Sequence, residues 1–452
     1  VDVTPFPLPD DTIEAVSREI RQGRRSCTEV LEHCLRSIDQ FESWGKAWVV
    51  VDRGRALTAA RGLDEERRAG RLRGPLHGIP FGIKDIFDVA GLPTAAGFGP
   101  WRDRIAERDC DVVALLRAAG AIILGKTVTT QFAWVDPPET ANPWRSERTP
   151  GGSSSGSAAA VAFRMCLGAV GSQTGGSVIR PASFCGVAGF KSLWPGVGFG
   201  TGQGIFPFSP ALDHPGLFAN SVGDLAIIVQ AMQTQLDARE GRAAKSLAAP
   251  PNVAPTLYRP RGFFDRRAEP DMASAFEAAI DAIARAGANV IDIPDPLDFE
   301  RVVRDHRTIM AAQAAAGHEA RLKEYAREYA PRIRALVEEG LSVPASEYVR
   351  AFDHLESLRA RSPEGFPPGV PGVLVTPATI GPAPDRTTTG DPLFNSPFSF
   401  TGQPVVSFPF AMHHDQLPLA MQLVGPSVAD STSLLQAARW CETAVRAHFV
   451  SR

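Results

Sequence analysis

At 452 residues the chain is longer than the roughly 250–300 residues at which a single hydrophobic core stops growing, so one large domain with an insertion and two lobes both fit. Its 44% apolar and 21% charged residues suit a soluble globular protein, and a net charge of −3 leaves no sustained basic face for nucleic acid. No run reaches about 18 apolar residues and the first ten lack a secretory pattern, so neither a spanning helix nor export is expected.

In chain order, the apolar periods predict helices over Asp11–Gln22 and Thr28–Phe41, the second opened by a capping box of Ser26 and Glu29. Ala47–Val51 reads as a strand and Arg53–Arg68 as a charged helix. Gly78-Ile79-Pro80-Phe81-Gly82-Ile83-Lys84-Asp85 is a turn feeding a short strand that ends on a lysine. Asp111–Ala119 and Ala121–Leu124 repeat the helix-then-strand order that builds α/β sheets. Gly125-Lys126-Thr127 lacks the upstream glycine of a phosphate loop.

From Arg148 to Ser192 the composition changes. Gly151-Gly152-Ser153-Ser154-Ser155-Gly156-Ser157 and Gly171-Ser172-Gln173-Thr174-Gly175-Gly176-Ser177 read as two tight turns around a buried helix from about Ser157 to Cys166. Such turns present hydroxyls and amide N–H groups together. Loops dominate Trp194–Gly216, after which Ser221–Gln235 is a helix. Asp237–Pro260 marks a change of composition. The helix Asp271–Ala286, the strand Asn289–Ile293 and charged helices over Phe299–Glu339 then suggest a peripheral helical lobe able to gate a site. Strands return at Val373–Pro377, Pro404–Pro409 and Pro418–Gly425, and the helix Ser431–Ala447 closes the chain. The expected architecture is α/β, a mixed and mostly parallel sheet covered by helices on both faces. Residues 1–236 and 366–452 form the core and 237–365 the lobe.

The cysteines at 27, 34, 110, 166, 185 and 441 show no close-ligand spacing, so buried free thiols, a cytoplasmic setting and no metal are expected. No histidine occupies a catalytic motif; His77 and His214 read as structural. Neither Ser153 nor Ser177 has the surround of a G-x-S-x-G elbow, so a serine nucleophile here would need a base other than histidine. Lysine can serve.

These stretches resemble the amidase signature family of serine hydrolases. Gly151-Gly152-Ser153-Ser154, Thr174-Gly175-Gly176-Ser177 and the Gly78-to-Asp85 pattern match its three spaced motifs, and the likeness continues through Asp213, Gly402-Gln403-Pro404 and Leu417-Pro418-Leu419. The resemblance implies Ser177 as nucleophile, Ser153 in a cis peptide as proton shuttle and Lys84 as ultimate base. The backbone of Thr174, Gly175, Gly176 and Ser177 is implied as the oxyanion hole. It implies a hydrogen-bonding role behind the reacting groups for Ser154, and Gln173 and Arg180 are read the same way. Gln173 stands where many relatives carry aspartate, and arginine comes three residues after Ser177 rather than two; losing both positions together avoids a stranded charge. Arg180 facing the substrate is the alternative. The implied activity is amide hydrolysis without cofactor or metal, on a small-molecule amide, in a chain that acts alone or as a homodimer. The glutamine-hydrolysing component of a tRNA-dependent amidotransferase is the alternative. Phe206, Phe208, Phe394, Phe398 and Trp134 are candidates for an apolar substrate wall.

Overall fold

Short apolar and glycine-rich runs assemble into one eleven-stranded sheet flanked by helices. The computed structural model describes residues 10–193, 202–242, 253–361, 372–425 and 431–450. The strands are β1 (Trp48–Val51), β2 (Pro80–Lys84), β3 (Ile122–Thr127), β4 (Gly168–Gln173), β5 (Ala188–Lys191), β6 (His214–Ala219), β7 (Thr256–Arg261), β8 (Asn289–Pro294), β9 (Val373–Pro377), β10 (Val405–Met412) and β11 (Pro418–Val424). Their order across the sheet is β1-β3-β2-β4-β6-β5-β10-β11-β9-β7-β8.

The sheet is mixed, as the sequence predicts, but it is not mostly parallel. Only the pairs β2–β3, β2–β4, β7–β8 and β7–β9 are parallel; the other six pairings are antiparallel. Connection length explains part of this. Residues 413–417 between β10 and β11 are too few for a crossover, so the chain must turn back. Strand β6 enters antiparallel between β4 and β5.

The stretch 237–365 is also less separate than a peripheral helical lobe. Its β7 and β8 continue the main sheet, while the helices Pro270–Arg285, predicted at Asp271–Ala286, and Phe299–Glu324, Pro331–Leu341 and Ala345–Arg361 fit the expected helical character. Strand β7 carries a tyrosine and a proline among arginines and does not announce itself as core, whereas β8 falls on the predicted strand Asn289–Ile293. Parts of the 194–216 and 237–260 readings lie outside the described residues.

Local signals govern the elements near the site. Ser26 and Glu29 form the predicted capping box of the helix Cys27–Gly45. The buried helix runs over Ser155–Ala162, earlier than predicted, and Gly156 lets it cross closely: a Cβ there would lie 2.2 Å from the Ala47 carbonyl oxygen. The second glycine-serine cluster is only half a turn. Gly171, Ser172 and Gln173 finish β4, because their backbones complete its ladder with β6, and the turn begins at Thr174. A helix follows at Ile179–Cys185. All six cysteines are free and buried. No helix among the described residues is long and apolar enough to cross a membrane.

Candidate active site

Strands β2 and β4 run parallel with Ile83 opposite Val170, so their carboxyl ends open on the same edge of the sheet. That register sets Lys84 beside Ser172. Lys84 is wholly buried, and its Nζ lies 2.8 Å from Ser153 Oγ and 2.8 Å from Ser172 Oγ. Burial pushes the amine well below the usual lysine range, against a smaller opposing pull from the Asp213 carboxylate. Asp213 is itself raised to about 6 by burial, although Thr174 Oγ1 and the Phe208 and Ser209 amides donate to it.

Ser153 is presented by a tight turn. The Gly152–Ser153 peptide is cis, and Gly151 has φ +81° with Pro181 so near that a Cβ would lie 2.7 Å from its Cα. Around the turn, Arg180 Nη2 donates to the Gly152 carbonyl at 2.8 Å and Ser155 Oγ to the Gly151 carbonyl at 2.7 Å. Ser154 Oγ donates to the Ser172 carbonyl and accepts from the Ser172 amide, tying the turn to β4. Lys84, Ser153 and Ser172 are therefore joined directly. Among the described residues no hydrogen bond links Ser153 to Ser177.

The Thr174–Ser177 loop is fixed by a second set of contacts. Gln173 Oε1 accepts from the Val178 and Ile179 amides, each at 3.0 Å, while its Nε2 donates to Ser399 Oγ, which donates to the Gly175 carbonyl. A neutral amide both accepts and donates here, which a carboxylate cannot do. With Ile179 rather than arginine two residues after Ser177, an aspartate at 173 would have no cation there to meet it. Thr174 is held from both sides, its hydroxyl on Asp213 Oδ1 at 2.5 Å and its carbonyl accepting from His306 Nε2 at 2.9 Å. The amides of Gly175, Gly176 and Ser177 donate to no described protein group, so they are left for a ligand.

Those residues line a cavity of about 120 Å³ that also touches Arg180, Trp134, Phe208, Met310 and His306. Ser177 is 7% exposed to it. Arg180 is 1% exposed, and apart from Gly152 it has only a long contact to Thr389 Oγ1 at 3.4 Å; its Nε and Nη1 have no partner among the described residues. Burial brings its guanidinium down to about 10. Of the aromatic candidates, Trp134 and Phe208 stack at 5.5 Å and form one wall. Phe394 and Phe398 pack instead with Phe264 in the core, and Phe206 packs against Trp101 and Phe132.

His77 and His214 are structural: the ring of the first meets the Leu63 carbonyl and that of the second the Leu212 carbonyl. Lys126 of the rejected phosphate loop forms a buried 2.9 Å ion pair with Asp85. Two site residues escaped the sequence reading. Ser172 had a signal, a hydroxyl closing a strand of glycine, alanine and valine. His306 had none, since it sits on a charged helix far along the chain.

Residues 29–434 match the family model described as Amidase. The chain belongs to the amidase family. It is 34% identical to an amidase of Pseudomonas putida, over 97% of this chain and 96% of that one. It is 30% identical to a glutamyl-tRNA(Gln) amidotransferase component of Lachnospira eligens, over 92% and 95%. The native peptide amidase of Stenotrophomonas maltophilia superposes with a TM-score of 0.81 at 26% identity, covering 98% of each chain. The amidase fold and the enzyme class predicted from the motifs are thus those of this chain.

Proposed function

We propose that this amidase cleaves the C–N bond of a small amide through an acyl-enzyme on Ser177. The observation that carries the proposal is the burial of Lys84 Nζ within 2.8 Å of Ser153 Oγ, because an amine without solvent favours its neutral, basic form. Ser177 Oγ attacks the carbonyl carbon. Its proton passes to Ser153 Oγ, whose own proton moves to Lys84 Nζ; the Ser153–Ser177 contact must tighten when substrate fills the cavity. The Gly175, Gly176 and Ser177 amides donate to the oxyanion, with Thr174 anchoring the loop from Asp213. The relay then returns a proton through Ser153 to the departing nitrogen, and water hydrolyses the ester.

The cavity supports a substrate whose acyl part has an apolar face against Trp134 and Phe208 and an oxygen, carboxylate or carbonyl, toward Arg180. Arg180 lines the cavity while its Nε and Nη1 lie sealed behind protein without a partner, so this contact requires the guanidinium to shift toward the substrate as it binds. The Gly152 contact gives Arg180 its second role, holding the turn of Ser153. A free-thiol chain fits the cytoplasm, alone or as a homodimer, which light scattering of the purified protein resolves. Ammonia delivery to a partner is the competing reading, favoured by the amidotransferase relatives; glutamine selectivity and a co-purifying partner protein would support it.

The test is intact-mass spectrometry during turnover of a panel of carboxylated, aliphatic, aryl and urea-type amides. A mass increase equal to the acyl group, present in the wild type and absent in Ser177→Ala, is expected. Turnover that persists in Ser177→Ala would end the proposal.

A further inference from the structure

Resting on that reading of the cavity, we infer that His306 selects substrate: it accepts a hydrogen bond from an N–H or O–H, so favoured amides carry a donor besides the bond being cleaved. The Thr174 carbonyl can only accept, so the ring nitrogen 2.9 Å from it, Nε2, bears the hydrogen. A neutral imidazole then has a bare lone pair on Nδ1. Burial keeps the ring neutral, bringing its pKa down to about 4.

No described residue donates to Nδ1, and this atom is not among the polar atoms sealed off by protein. The cavity that His306 lines is what it faces. The cations beside the ring are otherwise engaged, Arg307 with Glu339 and the Trp134 face, Arg359 with the Phe400 and Ala211 carbonyls. Ring atom Cε1 would lie 3.7 Å from a Cβ on Gly175, which sets the imidazole against the loop that would hold the oxyanion. Most other walls there are apolar, including Trp134, Phe208, Met310 and Leu393. Other acceptors lining the cavity are the Asp391 carboxylate, beside Arg180, and the Ser177 and Ser396 hydroxyls; an acceptor on the His306 wall still discriminates, because a substrate without a donor there leaves it unpaired.

The experiment uses His306→Gln, whose side-chain N–H can still reach the Thr174 carbonyl but which places no acceptor at Nδ1. A second variant, His306→Asn, offers an acceptor near Nδ1 and gives up the Thr174 contact. Each is assayed on a pair of amides that differ only in one N–H, free in one and methylated in the other. The wild type should prefer the N–H member by about tenfold in kcat/KM. His306→Gln should reduce that preference to about threefold or less, losing more on the N–H substrate than on the methylated one, whereas His306→Asn should keep the preference while kcat falls on both. Equal losses on both substrates in His306→Gln, or no preference in the wild type, would overturn the inference and leave the amidase reading standing. Loss of all Ser177-dependent hydrolysis from the wild type would remove both.

Discussion

Replacing Lys84 with methionine tests whether the amine is neutral in the folded enzyme. In the unfolded chain a lysine titrates near 10.4, so at pH 7 it is charged there; burial lowers the folded value well below this. The unfolded state then binds one more proton, and stability rises with pH between the two pKa values. Shedding that proton at pH 7 costs folding about 4–5 kcal/mol, taking 1.36 kcal/mol per unit over the interval from 7 to 10.4. Opposing this are the hydrogen bonds from Nζ to Ser153 and Ser172, about 1–3 kcal/mol together. Lys84→Met should therefore be more stable than wild type by about 2 kcal/mol at pH 7. That advantage should shrink by about 2.7 kcal/mol between pH 7 and 9, as the unfolded wild type loses its proton penalty. Urea unfolding of both proteins at pH 7, 8 and 9 measures the difference, and kcat should fall by about 10²–10⁴. A stability difference that does not change with pH would mean that Lys84 stays charged on folding, and the base assignment would fail.

Asp85→Asn strands the buried Lys126 cation and should cost about 3–5 kcal/mol in urea unfolding, with most of the loss recovered in Asp85→Leu combined with Lys126→Met. A loss below about 1 kcal/mol would show that solvent reaches the pair. Gln173→Glu introduces a carboxylate that cannot donate to Ser399 and should lower stability by about 2 kcal/mol and kcat at least tenfold, checked by melting and steady-state rates. Thr174→Val removes the anchor on Asp213 and should lower kcat far more than it raises KM; a pure KM effect would separate that anchor from oxyanion stabilisation.

Much of this was legible because the reacting side chains sit on short motifs whose glycines have a mechanical reason to be there. Gly151 and Gly156 admit no Cβ, so the turn and its helix could be read from composition. The strand directions were harder. Helix-then-strand alternation before residue 130 is real, yet nothing local in β6 or β10 states which way each runs, only the short 413–417 connection marks β11 as antiparallel to β10, and the mostly parallel expectation extrapolated the first half of the sheet onto the second. Strand β8 was legible as Asn289–Ile293, whereas β7 was hidden by the proline and arginines that usually argue against an interior strand, although it pairs with both β8 and β9. Gln173 and Arg180 were assigned supporting positions from charge pairing alone, and their hydrogen bonds give that argument partners it could not name. His306 lay beyond such reasoning, since only the folded chain brings residue 306 to residue 174.

The helix Phe299–Glu324 contributes Val303, His306, Arg307 and Met310 to the cavity wall, while the groups proposed for bond cleavage come from β2, the turn at 151–153 and the loop at 174–177. Part of the recognition surface is thereby written in a different paragraph of the polypeptide from the reacting groups, touching them only where His306 meets the Thr174 carbonyl. Drift, recombination or deliberate grafting at Val303, Arg307 and Met310 of that helix can retune which molecules are accepted while the reacting groups keep their spacing.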